Sequence, residues 1–172
     1  YKGNLNSRLL YITGPDSLYE DTTGKTLMVR SAEEFCRQYG ELHQIAVKIL
    51  RVPYLYSGTY EEDYFFKMFS IVINKKQITF EEAPTQEMHF LALSDLGDLL
   101  YKIFDNWGEG SACLQVPQVF HFTFQQFGER LAQMFPGANI TYLSDVLIRD
   151  GISDDHVLRN EYGWFPKISL LE

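Results

Sequence analysis

Cysteine is scarce in these 172 residues: Cys36 and Cys113 are the only two, and they form no CxxC pair. A disulfide framework and a cysteine-based metal knuckle are therefore not expected, and both thiols read as reduced core side chains of a cytoplasmic protein. Basic residues are scarce as well. Fifteen Lys and Arg face 23 Asp and Glu, for a net charge of −8 and no basic cluster. Nucleic acid and anionic membrane surfaces demand such clusters, so neither is an expected partner. Long hydrophobic runs are also missing. The most apolar window, YFFKMFSIVI, is interrupted by Lys67 and is far shorter than the roughly 20 residues of a membrane span. The opening YKGNLNSR is polar and does not resemble a secretory leader.

Several catalytic signatures are absent too. His43, His89, His121 and His156 stand singly, without HxxxH or HExxH spacing, so no metal site is expected. There is no GxSxG and no GxxxxGK[ST]. The one GxG, GEGSAC from Gly108, precedes an apolar strand pattern and puts Cys113 where a dinucleotide fingerprint needs its third glycine. The phosphate cradle of a dinucleotide fold is therefore not encoded here.

What is present is apolar patterning, with 45% hydrophobic residues, enough for one core and a small second lobe. RLLYIT, Arg8 to Thr13, is a buried strand stopped by Gly14-Pro15. SAEEFCRQYG, Ser31 to Gly40, reads as a helix capped by Ser31. Ile45 to Val52 is a second buried strand, and strand, helix, strand in succession signals a parallel α/β unit. Farther on, Tyr60 to Ile73 carries a helical stripe of Tyr64, Phe65, Met68, Phe69 and Val72. Gln77 to Phe80 and His89 to Leu93 read as short strands. Ser94 is placed to cap the helix SDLGDLLYKIFDNW, whose stop is Gly108. Ala112 to Val116 and Asn139 to Leu143 read as strands. Thr123 and Gln126 have capping-box spacing before FQQFGERLAQMF, and Ser153 begins a short last helix.

Some features read two ways. Glu61-Glu62-Asp63 has the composition of a carboxylate pair, but acids at a helix start meet the positive end of the dipole. Lys75-Lys76 suits a phosphate contact or a solvated turn. In LRVPYLYSGTYEED, Tyr54, Tyr56 and Tyr60 follow a buried strand, as ligand-facing residues or as core aromatics.

The order of these segments resembles the C-terminal half of the extended short-chain dehydrogenase/reductases, the family of NAD-dependent nucleotide-sugar epimerases and dehydratases. The resemblance rests on IAVKILRVPYLYSG, KKQITF, QEMHFLALSDLGDLLYKIF, HFTFQQFGERLAQMF and RNEYGWFPKISLLE. It implies an α/β fold: the last part of a doubly wound Rossmann-like parallel sheet from 1–57 and 94–108, with a small mixed α/β substrate lobe from 58–93 and 109–172. The N-terminal dinucleotide-binding half is expected to be absent. The resemblance further implies NAD or NADP as cofactor, with Pro53, Tyr54 and Leu55 against it, and a nucleotide sugar as ligand, near Tyr56, Met88 and Arg149. A missing half or a second copy of the chain is the implied protein partner.

The chain departs from this family at the chemistry. Counting back from Glu34 puts Thr26 and Arg30 where Tyr-x-x-x-Lys should stand. A threonine hydroxyl is far too weak an acid to replace a phenol, and arginine is not deprotonated. Thr13, Ser17 and Tyr19 are the remaining catalytic candidates, with Lys25 as a displaced possibility. Met88 stands where the family has a diphosphate-gripping arginine, and Tyr54 where it often has asparagine. Two readings follow: an incomplete or degenerate epimerase/dehydratase, or a binding or scaffolding module that kept the fold and lost the chemistry.

Overall fold

The structure is a computed structural model and describes residues 7–18, 24–57, 64–117, 122–145 and 155–168. Strand β1 (Arg8–Thr13) ends at Gly14, and a 3-10 turn at Pro15–Leu18 follows. Helix α1 (Gly24–His43) leads back to β2 (Ala46–Arg51), which runs parallel to β1 with Leu10 opposite Lys48 and Thr13 opposite Arg51. The helix starts well before the expected Ser31. That hydroxyl donates to Leu27 O at 2.8 Å inside the helix, so it satisfies a carbonyl one turn back and caps nothing. Gly40 is where α1 comes closest to the sheet. A Cβ there would run into the Val47 side chain and lie 2.8 Å from Ile45 O.

Strand β6 (Ala112–Gln115) lies on the other side of β2, also parallel, giving the order β1-β2-β6. The family resemblance implies the smaller lobe for this segment, whereas its strand pairs with β2 in the first sheet. Local pattern shows that a segment is a strand, whereas its partner is fixed by packing far away in sequence. The side chains of β2 alternate between two faces. Val47 and Arg51 meet α1, while Leu50, with Val52 just beyond the strand, enters a core on the opposite face. That core also holds Leu99 and Ile103 of α3 (Leu93–Asp105) and Leu158 of α5 (Asp155–Tyr162), together with Leu114 and Trp164. Cys36 is half-buried and Cys113 exposed on the outer strand, so the expected burial of both thiols does not hold.

Helix α3 begins without a side-chain cap: Ala92 occupies the N-cap, and Ser94 lies one residue inside the helix. Its buried first-turn Asp95 accepts hydrogen bonds from the backbone N–H groups of Lys167 and Ile168, both at 2.9 Å. The Trp164 indole N–H donates to Asp95 O at 3.2 Å. Together these contacts tie the segment after α5 to the start of α3. Gly163, at φ 56°, makes the left-handed turn that ends α5.

A second core is built mainly of aromatics. Helix α2 (Tyr64–Lys75), β4 (Gln77–Phe80), α4 (Phe124–Met134) and β7 (Asn139–Tyr142) enclose Phe65, Val72, Ile78, Phe80, Met88, Phe124, Phe127 and Leu131. β4 and β7 pair in parallel. The capping box at α4 forms as the sequence indicates, with Thr123 Oγ1 accepting from Gln126 N and Gln126 Oε1 accepting from Thr123 N. Between the two cores lies a third parallel sheet, of two strands, β3 (Tyr54–Tyr56) and β5 (Phe90–Ala92). Leu55 and Leu91 face the first core, while Tyr56 and Phe90 face the second. No helix among the described residues is long and apolar enough to cross a membrane.

Candidate functional site

The site grows from the way β2 ends. Val52 N still donates to Thr13 O at 2.9 Å, and Val116 N to Arg51 O at 3.0 Å. Pro53 then follows, with no N–H to continue the ladder. The chain leaves the three-stranded sheet there, and Tyr54 N donates to His89 O at 3.0 Å to start the pairing with β5. This change of partner opens a hollow of about 470 Å³ at the carboxyl ends of β1 and β2. Gly14 and Pro15 form one wall, residues 52–57 the floor, and Tyr64 and Lys67 of α2 with Leu93 of α3 the remainder. A second hollow of about 390 Å³ shares Tyr56, Ser57 and Leu93 and continues to Ser94 and Ile168. The Tyr56 hydroxyl donates to Ile168 O at 3.1 Å, and the ring of Tyr54 lies 4.5 Å from that of Tyr64.

The geometry therefore brings Pro53, Tyr54, Leu55 and Tyr56 together in one cleft. Met88 is not among them. Its side chain is fully buried in the second core. Thr13 is buried too, 3.5 Å from the Glu33 carboxylate, and does not line the cleft. Ser17 lies in the 3-10 turn, with its side chain outside the described residues, and Tyr19 and Arg149 lie outside them altogether.

Glu33 is the residue that the sequence alone did not single out. Its side chain is 2% exposed, and it holds Arg51 by two bonds, Nη2 to Oε2 at 2.6 Å and Nε to Oε1 at 2.9 Å. The hydrogen bonds that Arg51 donates to Glu33 raise the pKa of its guanidinium, against an opposing effect of burial. Glu34 points the other way, pairing with Arg37 and Gln38 at the surface. The glutamate that faces the sheet is thus one residue earlier than the one used for counting. Four and eight residues before Glu33 stand Val29 and Lys25. Thr26 is buried, whereas Arg30 lines an outward groove with Leu27 and Phe35. Neither count yields a tyrosine followed by a lysine on α1. Tyr64 and Lys67 were missed as cleft residues because the stripe on α2 reads as core; the signal available was a lysine interrupting that stripe. No group of His, Cys, Asp and Glu able to hold a metal occurs among the described residues.

Neither a protein-family model nor a curated protein matches the chain. Solved structures do. MoeE5 in complex with UDP-glucuronic acid and NAD superposes with a TM-score of 0.72 at 16% identity, over 95% of this chain and 61% of that one. DesIV, the dTDP-glucose 4,6-dehydratase of Streptomyces venezuelae with NAD bound, gives 0.75 at 11%, over 95% and 56%. The UDP-glucuronic acid 4-epimerase of Bacillus cereus, with UDP-glucuronic acid and NAD, gives 0.74 at 16%, over 95% and 57%. This chain spans less than two thirds of each of them. It therefore has the short-chain dehydrogenase/reductase fold as found in NAD-dependent nucleotide-sugar epimerases and dehydratases, over a little more than half of their length.

Proposed function

We propose that this chain is the substrate-side part of an epimerase/dehydratase-like protein, a cytoplasmic one, that binds a nucleotide sugar and is degenerate in its hydride chemistry. The observation that carries the reading is the cleft where β2 breaks at Pro53, walled by Tyr54, Tyr56 and Tyr64. Ligands of open α/β sheets bind beyond the carboxyl ends of the strands. In this reading Pro53, Tyr54 and Leu55 are the wall a nicotinamide would touch, and Tyr56 borders the sugar. The degeneracy is supported by α1, which carries no Tyr-x-x-x-Lys at any register. A glycine-rich turn holds the pyrophosphate of NAD or NADP in such folds, and the 172 residues contain none. Calorimetry tests both halves of the proposal. A UDP-sugar should bind, whereas NAD(H) and NADP(H) should bind no tighter than about millimolar, or ~4 kcal/mol. Micromolar cofactor binding by the 172-residue chain would refute the degeneracy.

A second reading, a binding or scaffolding module that acts through protein contacts, is favoured by the outer face of α1. Leu27, Met28, Phe35 and Leu42 are each more than half exposed there. A second copy of the chain, or another polypeptide that completes the sheet, would cover such a face.

A further inference from the structure

The first turn of α3 points its acid at another segment. Asp95 is the third residue of that helix, where a carboxylate ordinarily serves the helix's own free N–H groups. Here its Oδ2 accepts from the amides of Lys167 and Ile168, 72 and 73 residues away, both at 2.9 Å. Asp95 is 3% exposed, and charge-assisted bonds of this kind are about twice as strong as neutral ones. What they hold is a wall of the smaller hollow. Ile168 lines that hollow with Leu93 and Ser94, and Ile168 O takes the proton of the Tyr56 hydroxyl at 3.1 Å. Tyr56 borders both hollows. A chain of contacts therefore runs from Asp95, through one short piece of backbone, to the residue that the two hollows share.

The backbone just before that piece is held without the Asp95 side chain. The buried Trp164 donates its backbone N–H to Leu158 O at 3.1 Å and its indole N–H to the Asp95 backbone O at 3.2 Å. Pro166 has no N–H to donate. The ion pair of Lys167 with Asp98, at 3.4 Å, is exposed on both sides, where such a pair contributes little. Among the described residues, the placement of 167 and 168 thus falls to the Asp95 carboxylate and the Tyr56 hydroxyl. Resting on the nucleotide-sugar reading above for its ligand but not for its geometry, we infer that Asp95 is a positioning residue for the cleft: its carboxylate fixes Ile168 as a wall of the smaller hollow and, through Ile168 O, holds Tyr56 on the border between the two.

Asp95→Ala tests this, because it removes the grip on 167 and 168 and leaves both Trp164 bonds in place. The amides of Lys167 and Ile168 should exchange with deuterium faster, and UDP-glucose should bind about tenfold more weakly by calorimetry, the effect of one backbone residue that the ligand must now order. Asp95→Asn keeps a carbonyl oxygen able to accept both amides and should restore most of both properties. A double-variant cycle with Tyr56→Phe separates positioning from general support. In urea, the midpoint shift that Tyr56→Phe causes in the parent should vanish in Asp95→Ala, since the acceptor of the Tyr56 hydroxyl is no longer held in place. Should Asp95→Ala fail to fold, the same cycle runs in Ile168→Pro, which deletes one of the two donors and leaves the start of α3 untouched. Additive midpoint shifts, unchanged exchange at 167 and 168, or equal affinity of the parent and Asp95→Ala for UDP-glucose overturns the inference. Failure of UDP-glucose to bind the parent overturns the nucleotide-sugar reading alone, and the exchange and urea results still decide the role of Asp95.

Discussion

Replacing Arg51 with methionine tests whether α1 is locked to the sheet by a buried ion pair or merely rests against it. Glu33 is 2% exposed and Arg51 20%, and the two share a pair of hydrogen bonds of 2.6 and 2.9 Å. In Arg51→Met the carboxylate stays in place with its counter-charge gone. Breaking a buried pair from one side costs about 3–5 kcal/mol. The partial exposure of the guanidinium lets water compensate in part, so the lower figure, about 3 kcal/mol, is expected. For a chain of this size that corresponds to a fall of about 6–12 °C in Tm. The double variant Glu33→Met with Arg51→Met removes both charges and fills the space with apolar side chains, so it should recover most of the loss. Urea denaturation of the parent, the single and the double variant, with the slope checked for constancy, measures all three. A single variant within about 1 kcal/mol of the parent, or a double variant as unstable as the single, would refute the reasoning.

Three further outcomes are expected. Gly40→Ala should gain about 1 kcal/mol of helix propensity yet lose more by driving a methyl group onto Ile45 O and Val47; a net loss of about 2 kcal/mol is expected in urea, and a stabilised variant would contradict the close approach. Burial raises the Glu82 carboxyl above its ordinary value of 4.5, so between that value and the raised one the folded chain binds a proton that the unfolded chain lacks, and stability rises as pH falls through this window. Glu82→Gln should therefore be more stable than the parent at neutral pH and lose that advantage by about pH 4; parallel pH profiles would sink the assignment. Finally, the exposed Met28, Phe35 and Leu42 of α1 should make the chain associate at about 50 µM in light scattering, with Phe35→Lys and Leu42→Lys reversing it; a monodisperse parent monomer would count against a buried α1 face.

Local signals are legible wherever the chain marks its own stops. Arg8–Thr13 and Gln77–Phe80 have the bounds that Gly14-Pro15 and Lys75-Lys76 suggest. The cap of α4 follows from Thr123 and Gln126 alone. Serine misleads twice: Ser31 bonds back within its helix, and Ser94 lies inside a helix whose N-cap is Ala92. Choosing between Glu33 and Glu34 as the inward glutamate needs the helix phase, and that is set by the packing of α1 on the sheet at Gly40 and Val47. The tyrosines of the PYLYS segment are recognisable as a strand end. Their neighbours in the cleft are not, since Tyr64 and Lys67 reach it only through the packing of α2.

Every described strand ladder is parallel, and this bears on how the chain reaches its fold. No ladder can be started by a tight hairpin, since parallel partners need a crossover between them. The hydrogen bond from Val47 N to Ser111 Oγ closes a loop of 64 residues, and that from Thr141 Oγ1 to Ile78 O one of 63. Such distant pairings demand chain entropy before they return any contact, which slows folding. Strand β3, on the floor of the cleft, lies with its partner β5 between the two cores and depends on both. Ligand binding should therefore emerge late in refolding, after the helical signal has already recovered.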